Sequence, residues 1–68
     1  MEYYLIYKRN GKWVKHSGSD TRYKLDIIRA EFEKSMYLIG ATATRVIRQN
    51  QITNYQELGW EDDVKFQS

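Results

Sequence analysis

At 68 residues with no cysteine and no proline, the chain is expected to be a single domain over 1–68 that folds without a disulfide, near the size at which one core stops giving comfortable stability. Hydrophobic residues at 41% and charged residues at 29% make a globular rather than a disordered composition. No apolar run exceeds five residues, too short for a bilayer span of about 20 or a signal-peptide core of about 7–15, so a soluble, cytoplasmic protein without membrane contact is expected.

The net charge of +2 is unevenly spread. Residues 1–24 hold six basic side chains against two acidic ones, a local +4, and the remainder hold five against seven, a local −2. The basic end coincides with the clearest structural signal, Tyr3 to His16, YYLIYKRNGKWVKH. Strands over Tyr3–Lys8 and Lys12–Ser17 flank Asn10-Gly11, a pair that tolerates the positive φ angles of a type I′ hairpin turn.

The loop length decides the register. A two-residue Asn-Gly loop, the more frequent form, sets Lys8 opposite Trp13 and Leu5 opposite His16. One face then carries Tyr3, Leu5, Tyr7, Val14 and His16, and the other carries Tyr4, Ile6, Lys8, Trp13 and Lys15. A three-residue loop with a bulge at Gly11 moves Trp13 to the face of Tyr3, Leu5 and Tyr7, because strand side chains alternate.

Ser17 to Thr21 is small and polar, a loop closing on a helix cap at Asp20 or Thr21. Leu25, Ile28, Phe32, Met36 and Ile39 then recur at spacings of 3, 4, 4 and 3, which predicts a helix from Arg22 to about Ile39 with Gly40 as its stop. A start after Asp26, with Thr21–Leu25 extending a strand, is the alternative. Ala43–Gln49 reads as a third strand, antiparallel to the first. The fold class is thus α+β, a small β-β-α-β domain with a three-stranded sheet of order 2-1-3, a right-handed crossover and one helix on one face. Thr53 to Gly59 predicts a short helical turn capped by Thr53, bringing Tyr55, Leu58 and Trp60 to the core edge. Glu61-Asp62-Asp63 is an acidic run that would partly offset the basic hairpin, and Val64-Lys65-Phe66 alternates like a strand or frays as a tail.

Chemistry is sparse. His16 is the one imidazole, with no carboxylate at a spacing that would orient it, and neither a nucleophile motif, a phosphate loop nor a spaced metal-ligand set occurs. A non-enzymatic chain without cofactor or metal is expected. Glu31 and Glu33, two apart on the helix, do not share a face for acid–base work.

The candidate binding residues are Tyr4, Ile6, Lys8, Arg9, Lys12, Trp13 and Lys15. Tryptophan, tyrosine and arginine dominate protein interfaces, and a sheet with one helix has a face to cover. The expected function is a regulatory or inhibitory module that binds a protein partner, or itself, through the open sheet face. Rings among lysines equally suit a single-stranded nucleic acid, which stacks on the former and places phosphates against the latter. Packing of the rings with lysines solubilising the hairpin is the bland alternative.

Overall fold

The computed structural model of the chain describes residues 2–57 and 60–62, with side chains described for 2–55. Strands β1 (Tyr3–Arg9) and β2 (Lys12–Ser19) form the hairpin, helix α1 (Arg22–Glu33) and a 3₁₀ turn (Met36–Ile39) follow, and β3 is Ala41–Arg48. A second 3₁₀ turn (Gln49–Gln51) runs into α2 (Ile52–Glu57), and β4 is Trp60–Asp62. The sheet order is β3-β1-β2-β4. The expected antiparallel trio β2-β1-β3 is its body, and β4 adds parallel to β2 through the pairings Trp13 with Trp60 and Lys15 with Asp62. The acidic run therefore begins beside the basic hairpin.

The hairpin turn has two residues. Asn10 at φ 54° and Gly11 at φ 76° are both left-handed, as type I′ requires, and Arg9 pairs with Lys12, Lys8 with Trp13 and Tyr7 with Val14. The register departs from a regular ladder further down. Ile6 pairs with Lys15 but Leu5 pairs with Ser17 rather than His16, so His16 is the extra residue of a bulge.

Alternation from this register builds a core on each side of the sheet. On the α1 side, Tyr7, Val14 and Ala41 are buried with Phe32 and Met36 packed on them, and Leu5 and Leu25 are fully buried. On the other side, Ile6, Trp13 and Ile47 are buried beneath Tyr4, Ala43, Ile52 and Tyr55. Ile52 and Tyr55 are three apart on α2, so a single short helix presents both to the sheet. A sheet face expected to be open is thus closed at its centre by the chain's own C-terminal third.

The long helix is shorter than its periodicity predicts. It begins at Arg22 after the N-cap Thr21, ends at Glu33, and Ser35 at φ −129° and ψ 8° leaves the helical region. Three residues per turn then carry the chain on, with Leu38 N–H donating to the Ser35 carbonyl at 3.0 Å and Gly40 N–H to that of Tyr37 at 3.2 Å. Gly40 at φ 77° makes the left-handed stop, dropping the chain from the helix layer into the sheet so that Ala41 enters β3 buried. The inward stripe is Leu25, Arg29, Phe32 and Met36, all buried or half-buried, while Ile28 and Ile39 are exposed. Arg29 lies on that stripe with its Nε 3.3 Å from the Glu33 carboxylate one turn on, and that carboxylate accepts a hydrogen bond from the Thr44 hydroxyl on β3.

The C-terminal helical piece starts earlier than expected, so Thr53 lies inside α2 and does not cap it. Gln49 N–H donates to the Glu2 carbonyl at 2.8 Å, and Arg48 N–H to the Gln51 side-chain oxygen at 3.0 Å, so the turn forms as β3 ends. The expected Gly59 stop, the side chains of Leu58 and Trp60, and the Val64-Lys65-Phe66 segment lie outside the described residues.

Candidate functional site

The hairpin register divides the seven candidate residues between two faces. Tyr4, Ile6, Lys8, Trp13 and Lys15 share the α2 side, while Arg9 and Lys12 alternate onto the α1 side with Tyr7 and Val14. Two of the seven are not surface residues. Ile6 is fully buried and Trp13 is 7% exposed, which overturns the expectation that the tryptophan faces outward.

The cover over Trp13 is specific. The Tyr55 ring stands edge-on to the indole at 5.3 Å and 88°, a geometry in which the positive ring edge meets the negative face. Lys8 Nζ and the Arg45 guanidinium lie 5.8 Å and 5.9 Å from the indole centroid. The same device recurs around the sheet, with Lys15 over Tyr4 at 5.6 Å, Arg9 over Tyr7 at 5.7 Å and Arg48 over Tyr3 at 5.7 Å. The interleaved rings and cations seen in the sequence thus engage one another within the fold. A nucleobase would have to displace Tyr55 or a cation to stack.

His16 serves packing. Its half-buried ring lies 4.6 Å from Phe32 and 6.2 Å from Tyr7, with Nδ1 3.2 Å from the Ser17 hydroxyl. The bulge lets it turn toward α1 out of step with the ladder. Among the described residues, no three His, Asp or Glu side chains gather as a metal site needs, and no helix is long and apolar enough to cross a membrane.

Exposed apolar surface lies elsewhere, on α1 and the 3₁₀ turn after it. Tyr23, Tyr37 and Leu38 are more than 70% exposed, and Ile27, Ile28 and Ile39 are also exposed. The cause is the phase of the helix. With Leu25 and Phe32 pointing at the sheet, a 100° step per residue sends Tyr23, Ile27 and Ala30 outward and Ile28 to the β2 flank. On that flank Ile27, Ile28, Glu31, Phe32 and Ser35 face His16 across an open groove of about 530 Å³. The periodicity of the sequence set Ile28 and Ile39 on the inward stripe with Leu25, Phe32 and Met36. The contact absent from the periodicity is the tertiary hydrogen bond from Thr44 on β3 to Glu33, the residue that pairs with Arg29.

A second, polar recess of about 270 Å³ lies at the outer edge of β3, where Arg22 and Arg29 from α1 meet Thr44, Arg45, Gln51 and Tyr55. Arg29 is committed to Glu33 there. Comparison with protein-family models, with curated proteins and with solved structures finds no match.

Proposed function

We propose that the chain is a small non-enzymatic binding module, regulatory or inhibitory by occupancy, that contacts another protein through the outer surface of α1 and the Met36–Ile39 turn. The observation that supports this reading is six large hydrophobic side chains exposed on two adjoining elements of a 68-residue chain. Scattered single apolar residues are ordinary on a surface, whereas a concentration of them marks an interaction site. The contact surface is therefore moved from the sheet face, where α2 lies over Trp13, to the helix face. We place its action in the cytoplasm.

The nucleic-acid reading has less support, because the rings that would stack bases carry the protein's own cations. What favours it is the number of exposed basic side chains, Lys8 and Arg45 with Lys12 and Arg22. A photo-crosslinking amino acid at Leu38, with one at Lys12 as the control, separates the two in cells that express the chain. Protein adducts from position 38 and none from position 12 support the helix face. Adducts from position 12 alone, or RNA recovered with the protein, would overturn it.

A further inference from the structure

The charges of α1 are arranged against its own dipole. Its first turn holds Arg22 and Lys24 with no acidic residue, and its last turn holds Glu31 and Glu33 with no basic one. Thr21 at the N-cap makes no side-chain capping bond. A helix end prefers the opposite signs, negative at the N-terminus and positive at the C-terminus. Within one chain the acidic end is offset by ion pairs, Glu31 with the C-cap Lys34 at 3.2 Å and Glu33 with Arg29 at 3.3 Å, whereas Arg22 and Lys24 meet no acidic residue in their own turn.

We propose that the partner of this face is a second copy of the chain, bound by antiparallel packing of α1 on α1 about a two-fold axis at Ile27. This rests on the protein-binding reading above and names its occupant. Three observations converge on it. First, antiparallel helices bring opposite dipole ends together, and an axis at Ile27 sets Lys24 of each copy beside Glu31 of the other, so Lys24, unfavourable at the positive end of its own helix, gains a carboxylate that its own chain shares with Lys34 at the surface. Second, the outward stripe is self-complementary in shape: Ile27 meets its own equivalent, and Tyr23, 74% exposed, lies against the small Ala30 of the other copy. An isologous contact has this form, one patch matching itself.

Third, the area suffices. Taken at about 200 Å² for each whole residue, the exposed fractions of Tyr23, Ile27, Tyr37, Leu38 and Ile39 leave roughly 600 Å². A standard interface buries about 800 Å² on each partner, and Lys24, Glu31 and Ala30 add the rest.

Sedimentation equilibrium on the full chain, with charge reversal, tests this. The wild-type mass rises with concentration from 8.2 kDa toward twice that value. Lys24→Glu alone and Glu31→Lys alone set like charges opposite each other at both ends of the axis and leave monomers, with circular dichroism unchanged. Mixing the two variants in equal amounts restores a dimer, because each supplies the sign the other needs, and the double variant K24E/E31K restores it alone. A wild-type chain that stays at 8.2 kDa to millimolar concentration overturns the proposal, as does a dimer that neither single reversal weakens. If the chain is monomeric while position 38 crosslinks to a different protein, the second copy is wrong and the protein-binding reading stands. If it is monomeric and position 38 yields no adduct, both fall.

Discussion

Trp13 separates a ring that holds the domain together from a ring that waits for a ligand. Its side chain is 7% exposed, between the β-sheet and Tyr55. An aromatic side chain of this size buries about 150–250 Å², which at about 25 cal/mol per Å² amounts to roughly 4–6 kcal/mol. Substitution by alanine retains a little of that, and measured aromatic-to-alanine losses in cores are about 3–5 kcal/mol. A domain of this length has a total stability of roughly 3–10 kcal/mol, so Trp13→Ala should remove from about a third to all of it. Urea unfolding followed by far-ultraviolet circular dichroism measures the loss without relying on the deleted fluorophore. Trp13→Phe should cost only about 1–2 kcal/mol, since most of the buried area stays, and a double-mutant cycle of Trp13→Leu and Tyr55→Leu, which removes both rings, should return a coupling of about 0.5–1.5 kcal/mol. In a Trp60→Phe chain, emission from Trp13 should be blue-shifted and resistant to acrylamide. A loss below about 1 kcal/mol for Trp13→Ala, with red-shifted and readily quenched emission, would refute the buried placement and return the indole to the surface.

Gly11→Ala forces a Cβ onto a φ of 76° with nothing nearby to clash, so thermal unfolding should report the backbone strain alone, about 1–2 kcal/mol. Leu38→Ser, at a position 71% exposed, should leave stability within about 0.5 kcal/mol while removing crosslinked product from a probe at Tyr37. Glu33→Gln weakens the link from Arg29 to Thr44; since the groups are partly exposed, a loss of about 0.5–1 kcal/mol is expected, shrinking in 1 M salt. Titration with single-stranded DNA at low salt should give weak binding that Trp13→Phe does not change, because the indole offers no free face for stacking.

What was legible in the sequence was local. Asn10-Gly11 dictates its own turn, and with it the pairing of Lys8 with Trp13, because both residues accept positive φ and no distant contact is needed. The order of the three main strands follows from the connections, a tight hairpin and then a helical crossover. What was not legible depends on groups far apart in the chain. The cover on Trp13 comes from Ile52 and Tyr55, some forty residues later, and the six-residue α2 that carries them is too short to show a periodicity. The bulge at His16 likewise has no turn residue to announce it. It is settled by an imidazole that packs on Phe32 across the layer gap.

The helix phase shows how one polar contact can reassign a surface. By spacing alone, a stripe through Leu25, Ile28 and Phe32 and one through Leu25, Arg29 and Phe32 fit α1 equally well, and hydrophobicity prefers the first. The second occurs, with Arg29 half-buried beside Glu33, Glu33 bonded to the Thr44 hydroxyl, and Ile27 and Ile28 both partly exposed. Exposing Ile27 and Ile28 forgoes roughly 4–5 kcal/mol of burial at about 25 cal/mol per Å², more than a partly exposed ion pair returns. A monomer selected for its own stability would have little reason to keep that arrangement, nor to place Arg22 and Lys24 at the positive end of the same helix. Both costs vanish if the outer face of α1 is covered in the working state, and a covering surface with basic groups opposite Glu31 and acidic groups opposite Lys24 relieves them together.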